Sequence, residues 1–155
     1  PAGLHWVPLD FRTQDLAAAV KRSPYDPLKR TFFSWLGVTY YLERAQVLAT
    51  LRAMAGLAPS GSPIIFDYMD ADMFVPGHAS VLMERVQAIV RTAGEPMKTG
   101  FDPSTLRSEL AAAGLELIED LGPDEIQARY FSARTDGYHA LEKTHFVRAA
   151  VVKSS

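Results

Sequence analysis

Cysteine is absent from the 155 residues, which excludes disulfides, zinc–thiolate sites and a cysteine nucleophile. An excess of charge of one sign is also lacking, since 16 basic residues face 18 acidic ones for a net −2. That balance gives no electrostatic reason to expect nucleic acid or an anionic membrane as partner. No apolar run approaches the roughly 20 residues of a membrane span, and no leader peptide is recognisable, so a cytoplasmic protein is expected. The chain opens on Pro1 rather than Met, as a processed or trimmed chain would. The four histidines, His5, His78, His139 and His145, lie far apart and lack the paired spacing of a metal site. Neither a Gly-x-Ser-x-Gly nucleophile elbow nor a Gly-rich phosphate loop is present.

What the sequence does have is apolar residues in alternating strand and helix patterns. At 48% hydrophobic, it can bury the core of one domain, taken as residues 1–155. Residues 31–35 (Thr-Phe-Phe-Ser-Trp) are β-branched and aromatic, as in a buried strand, and Gly37 allows a sharp exit. Helical spacing over 43–55 then puts Val47, Leu48, Leu51, Met54 and Ala55 on one face, with Gly56 as a stop. Residues 63–68 read as a second central strand, without the polar alternation of a half-solvated one. Shorter signals predict a strand at 4–9, a helix at 13–20 capped by Thr13, and a helix at 78–92 with Leu82, Val86, Ile89 and Val90 at buried spacing. Asp102-Pro103 opens a further helix that buries Leu106, Leu110 and Ala113. A strand at 115–121, a short helix at 124–132 and a last strand at 145–152 follow. This alternation predicts an α/β fold with a mostly parallel sheet.

Sheets of this kind bind ligands at the carboxyl ends of their strands. Asp10 follows the first predicted strand, and Asp67 lies late in the third. Such carboxylates accept hydrogen bonds from a ribose or adenine, or else cap nearby backbone. Phe11, Trp35, Tyr40, Tyr41 and Tyr68 all fall near strand ends. Rings there stack on an adenine or wall a dry cavity, and each also suits the core.

Taken together these residues resemble one family. The segments are Val7-Pro8-Leu9-Asp10-Phe11, Phe33-Ser34-Trp35-Leu36-Gly37-Val38-Thr39-Tyr40-Tyr41-Leu42, Ile65-Phe66-Asp67-Tyr68, Gly94-Glu95-Pro96, Gly100-Phe101-Asp102-Pro103, and Glu119-Asp120-Leu121-Gly122-Pro123 with Tyr130-Phe131. In that order they resemble the carboxyl-terminal half of an S-adenosylmethionine-dependent methyltransferase. The similarity is to the leucine carboxyl methyltransferase-like family, in its bacterial O-methyltransferase branch linked to secondary metabolism. The resemblance implies a Rossmann-like methyltransferase sheet. In it, residues 4–9, 31–35, 63–68 and 115–121 would be strands three to six of seven, and 145–152 the antiparallel seventh. It implies that Asp10 and Phe11 flank the cofactor's adenine, that Ser34, Trp35 and Leu36 line its methionine end, and that Tyr40, Tyr41 and Tyr68 face the acceptor. The chain departs from the family at Leu36, where some relatives carry an acid able to hold the cofactor's amino group. It also lacks the Gly-rich loop and the acidic residue that follow the family's first two strands.

The implied reaction is methyl transfer to the oxygen of a small-molecule or carboxylate acceptor, with the protein aligning the partners and excluding water. A carboxylate acceptor needs no strong base, whereas a phenol or alcohol gains from one. His78 and His139 are candidate bases by position only, and Arg134 is a candidate partner for an acceptor carboxylate. The competing expectation is a non-catalytic module that keeps half the fold for assembly. Without the family's first two strands, the edge of strand 31–35 is expected to lie exposed and to recruit a second copy.

Overall fold

The computed structural model of the protein describes residues 2–152. Its sheet contains β1 (Phe33–Trp35), β2 (Pro63–Met69), β3 (Leu115–Leu121) and β4 (Thr144–Val151), in the spatial order β1-β2-β4-β3. β1 runs parallel to β2, while β4 is antiparallel to both β2 and β3. β1, β2 and β3 therefore point one way and the last strand is reversed, as the α/β reading expects. The helices are α1 (Leu16–Val20), α2 (Arg44–Leu57), α3 (Val81–Thr92), α4 (Pro103–Ala112) and α5 (Pro123–Ile126), the last running into a π turn over Gln127–Phe131.

Local chemistry sets the two main helices. α2 begins where the Gln46 side chain accepts the Glu43 N–H at 2.9 Å. α4 begins where the Asp102 carboxylate accepts the Ser104 N–H at 2.8 Å, with Pro103 in the first turn. Val47, Leu51 and Met54 of α2 and Leu106 and Leu110 of α4 then pack on Ile64, Phe66 and Tyr68 of β2 and on Val147, Ala149 and Val151 of β4. Each large aliphatic side chain buried there contributes about 1.5–3 kcal/mol relative to leaving it in water. The opposite sheet face is thinly covered. A trough of about 570 Å³ runs across it, lined by Ile65, Leu121, Ile126, Tyr130, Phe131 and Phe146 among others.

β3 is irregular between Leu117 and Glu119 in its register with β4. The extra residue, Ile118, resets the alternation. Leu117, opposite Ala149, and Asp120, opposite Val147, consequently share the helix-covered face, and Leu121 turns to the other.

Several sequence expectations are corrected. Residues 4–9 form no strand, and Trp6 in that segment is 87% exposed. A strand needs a neighbour for its N–H and C=O groups, and among the described residues none pairs with this segment. β1 is confined to Phe33–Trp35, and the next register position back from Phe33–Ile64 meets Pro63, which has no N–H to offer. The first helix starts at Leu16, because the cap is Asp15, whose Oδ1 accepts the Ala18 N–H at 2.7 Å, and not Thr13. α2 passes through Gly56 and ends at Leu57. α3 starts at Val81 under a Ser80 cap, and it is anchored by Met83, which packs with Met69 and Met73. Leu82 and Ile89, expected on its buried face, are exposed, because among the described residues no layer lies over them. No helix is long and apolar enough to cross a membrane, and no cluster of metal-ligating side chains occurs, among the described residues.

Among the described residues β1 pairs on one side only, with exposed Phe32 and Leu36 flanking it. Such an edge recruits another strand. Sedimentation velocity over a dilution series is expected to show a mean mass that rises with concentration, and Phe32→Lys is expected to shift it back toward the single chain. A mass independent of concentration at the single-chain value would refute this.

Candidate functional site

The site begins where β1 leaves the sheet. Gly37 has φ +74°, in the left-handed region that glycine adopts without steric cost. Its N–H donates to Asp67 Oδ1 at 2.8 Å, and Thr39 Oγ1 donates to the Asp67 carbonyl oxygen at 2.6 Å. The buried Asp67 thus caps the exit of the neighbouring strand. Burial pushes its carboxyl pKa up, and the Gly37 hydrogen bond offsets part of that rise. The 3-10 turn over Thr39–Tyr41 follows, with the Tyr40 and Tyr41 rings edge-to-face at 4.7 Å. Burial, with the Asp67 charge and Tyr41 nearby, pushes the Tyr40 phenol up to about 12, so it stays protonated near neutral pH.

The loop between α3 and α4 closes over these exits. A side chain at Gly100 would meet Ala71 Cα at 2.6 Å and the Met69 carbonyl oxygen at 2.9 Å, so only glycine permits the approach. Phe101 N–H donates to Met69 O, and Ala71 N–H to Phe101 O, both at 2.9 Å. Further along, Lys98 N–H donates to Tyr40 O at 2.7 Å, and Thr99 Oγ1 to Leu42 O at 2.6 Å. These bonds carry the loop across the carboxyl ends of β1 and β2.

Between the loop, the β1 exit and the segment ahead of α1 lies an open cleft of about 680 Å³. It is lined by Leu9, Asp10, Phe11, Arg12, Gly37, Val38, Tyr41, Leu42, Gly94, Glu95, Pro96 and Lys98. The size suits a small-molecule site. Asp10 accepts from Arg12 Nε and from the terminal guanidinium nitrogen, each at 3.0 Å, and from the Arg12 backbone N–H at 2.9 Å. That guanidinium holds the Asp10 carboxyl down at about 2. The Phe11 ring lies 5.5 Å from that of Trp35, which is buried and whose Nε1 has no hydrogen-bond partner.

The structure therefore brings Asp10, Phe11 and Tyr41 into one cleft, with Trp35 behind Phe11. Ser34 and Leu36 are exposed and lie outside the lining. Tyr40 packs on the cluster of Met69, Met73 and Met83. Tyr68 is fully buried in the core: its hydroxyl donates to Asp120 Oδ2 at 2.8 Å, and its ring stacks on His145 at 4.7 Å. Arg134 is engaged by Asp136 and lies over Phe131 and Tyr138. Arg12 and Lys98 are contributions that sequence reasoning missed, whereas Asp67 takes the backbone-capping alternative, toward Gly37. Gly94-Glu95-Pro96 matched the family without a role, and here it forms a wall of the cleft.

The leucine carboxyl methyltransferase family profile matches residues 1–55. The chain is 35% identical over 156 aligned residues, 96% of its length, to the Bacillus subtilis (strain 168) protein named "Putative S-adenosyl-L-methionine-dependent methyltransferase YktD". It spans about half that relative, 49% of its length. Among solved structures, a DUF574 family protein from Streptomyces avermitilis matches with a TM-score of 0.58 at 18% identity, over 87% of this chain and 51% of that one. An O-methyltransferase family 2 protein from Planctomyces limnophilus, solved with apigenin, matches with a TM-score of 0.50 at 11% identity, over 82% and 33% respectively. At these identities the structural matches show a shared fold.

The raised Asp67 pKa has a checkable sign. A carboxyl whose folded-state pKa lies above its unfolded value contributes stability below the unfolded pKa, and that contribution is lost as pH rises through the folded pKa. Asp67→Asn removes the charge and keeps a carbonyl acceptor for Gly37. Wild type is therefore expected to lose stability relative to this variant as pH rises from about 3 to about 7. Urea melts of both proteins across that range check it, and a difference independent of pH would refute it.

Proposed function

The chain belongs to the leucine carboxyl methyltransferase-like family by these sequence relationships, and from that premise we propose that it is the carboxyl-terminal half of an S-adenosylmethionine-dependent O-methyltransferase acting on a small-molecule or carboxylate acceptor. The observation that carries the reading is the 35% identity that runs along nearly the whole chain to a protein named as such a methyltransferase. The cleft at the strand exits supports it.

The residues present fit the cofactor. The cleft is large enough for a nucleoside-sized ligand, and it has an ionised carboxylate, Asp10, at its rim. Behind Phe11 the buried Trp35 Nε1–H has no hydrogen-bond partner. When bound, the cofactor supplies a methyl group activated on a sulfonium. In this reading Asp10 accepts hydrogen bonds from the ribose or adenine, and Phe11 stacks on the base. Ser34, Trp35 and Leu36, next to Gly37 of the cleft, are assigned to the methionine end. Tyr40 and Tyr41 wall the acceptor side and exclude water. The protonated Tyr40 serves there as a hydrogen-bond donor rather than a base. Tyr68 lies in the core, bound to Asp120, and takes no part in the cleft. A second reading, a non-catalytic half-fold used for assembly, is favoured by the free β1 edge and the apolar trough.

Calorimetry with S-adenosylmethionine tests the first reading. Because the sequence carries no Gly-rich loop to present backbone donors at a helix start, this chain on its own is expected to bind more weakly than about 1 μM, roughly 8 kcal/mol. In a protein that joins these residues to an amino-terminal half, tight binding is expected. There, Asp10→Ala is expected to weaken cofactor affinity more than acceptor affinity. Unchanged cofactor affinity in that variant would show that Asp10 serves Arg12 alone.

A further inference from the structure

A second hollow, of about 400 Å³, lies between the start of α3 and the segment that leads into β4. It shares no lining residue with the cleft. Ser80 and Leu82 form one wall, and residues 137–142 form the other. The volume falls in the lower part of the range for small-molecule sites.

Both walls are held in place. Ser80 Oγ accepts the Met83 N–H at 3.3 Å and so caps α3. In the other wall, Gln127 Oε1 accepts the Ala140 N–H at 2.9 Å, and Asp136 Oδ1 accepts the Tyr138 N–H at 3.3 Å. Lys143, one residue on, has φ +62°, the only non-glycine in the left-handed region among the described residues. That conformation is costly for a lysine and persists only where the surroundings impose it; such strain gathers at ligand clamps. The Lys143 carbonyl oxygen accepts the Asp70 N–H at 2.7 Å, which anchors this wall to the end of β2.

The lining joins exposed apolar surface to an uncompensated acid. Leu82, Tyr138 and Leu141 are all exposed. Three large apolar side chains gathered round one hollow differ from the scattered single ones that any surface carries. With them is Glu142, whose Oε1 is shielded from water and has no hydrogen-bond partner among the described residues. Such an oxygen is costly to leave unpaired. The basic residues of the segment are engaged elsewhere. Lys143 Nζ lies 2.5 Å from one oxygen of Asp72, whose other oxygen contacts His78, and Arg134 Nε donates to Asp136 at 3.0 Å. His139 adds a second acceptor. Its Nδ1 lies 2.9 Å from the Gly137 carbonyl oxygen. A carbonyl only accepts, so Nδ1 carries the proton and Nε2 of the neutral ring keeps a lone pair.

We propose that this hollow is a binding site for a small apolar amine. The ammonium pairs with the Glu142 carboxylate and supplies the N–H donors that Glu142 and His139 lack, while the hydrocarbon body covers Leu82, Tyr138 and Leu141. Whichever Glu142 oxygen it meets, the ammonium compensates the same charge. A charge-assisted pair is also stronger than the bond a neutral hydroxyl offers. A ligand carboxylate is the opposite case, because Glu142 repels it even though the positive end of α3 attracts it. The site does not rest on the methyltransferase reading and adds a ligand beyond it.

A nitrogen-15 NMR titration of this chain compares 2-phenylethylamine, 2-phenylethanol and 3-phenylpropionate. The amine is expected to shift the amides of residues 80–82 and 137–142 to saturation and to leave residues 37–42 of the cleft unmoved. It is expected to bind about 10-fold tighter than the alcohol, as a hydrogen bond to a charged group exceeds a neutral one, and 3-phenylpropionate is expected to give no saturable shift. Glu142→Gln is expected to weaken the amine about 10-fold and to leave the alcohol within about twofold. Raising salt from about 50 mM to about 500 mM is expected to weaken the amine alone, and this arm needs no variant. Amine shifts that fail to saturate, or that centre outside these residues, overturn the proposal. So do equal affinities for amine and alcohol, or an amine affinity that Glu142→Gln or salt leaves unchanged. Tighter binding of 3-phenylpropionate also overturns it, since the start of α3 rather than Glu142 would then govern the hollow.

Discussion

One hydrogen bond, from the Gly37 N–H to Asp67 Oδ1 at 2.8 Å, ties together the exits of the two parallel strands. β1 is registered on β2 through only three residue pairs, so little else holds the chain where it leaves the sheet. A hydrogen bond to a charged group contributes about 1.5–3 kcal/mol, which matters beside so short a ladder. Everything on the cleft side follows from the turn it fixes. Gly37 reverses the chain, Tyr40 and Tyr41 are set edge-to-face, and the Tyr40 carbonyl becomes the anchor for Lys98. Gly100 completes the enclosure by letting the loop lie against the end of β2, where any side chain would strike backbone.

A second constraint lies under the helices. Tyr68 on β2, Asp120 on β3 and His145 on β4 form one polar network on the otherwise apolar face. Tyr68 donates to Asp120 at 2.8 Å, and His145 Nδ1 lies 3.1 Å from the other carboxylate oxygen. Buried polar groups are tolerable when every member is satisfied and costly when one partner is lost. The network depends on the irregularity at Ile118. With strict alternation from Leu117, Asp120 would turn away and leave the Tyr68 hydroxyl and His145 stranded. Burial and the adjacent Asp120 charge push the Tyr68 phenol pKa upward, so it remains a donor.

Much of this fold was legible where a pattern was local. The capped start at Asp102-Pro103, the strand over Leu115–Leu121 and the buried face of α2 all follow from spacing and capping chemistry. What could not be read depended on neighbours. Residues 4–9 have strand composition but no partner, and α3 has an apolar stripe but nothing laid over Leu82 and Ile89. Asp10, Phe11 and Tyr41 line the cleft together. Tyr68 does not, because strand parity sets it on the same face as Phe66.

The pattern of β2 bears on the edge and the bare face together. Its apolar residues suit a strand covered on both sides, yet α2 and α4 cover one, and Ile65 looks into the trough on the other. A second copy pairing edge to edge with β1 would satisfy the free N–H and C=O groups and leave the trough open. A strand added parallel to β1 is different, because parallel neighbours are joined by a crossover, usually helical, which packs on a face of the sheet. One strand–helix unit can therefore close the β1 edge and cover apolar surface on the face that holds Ile65 and Phe146.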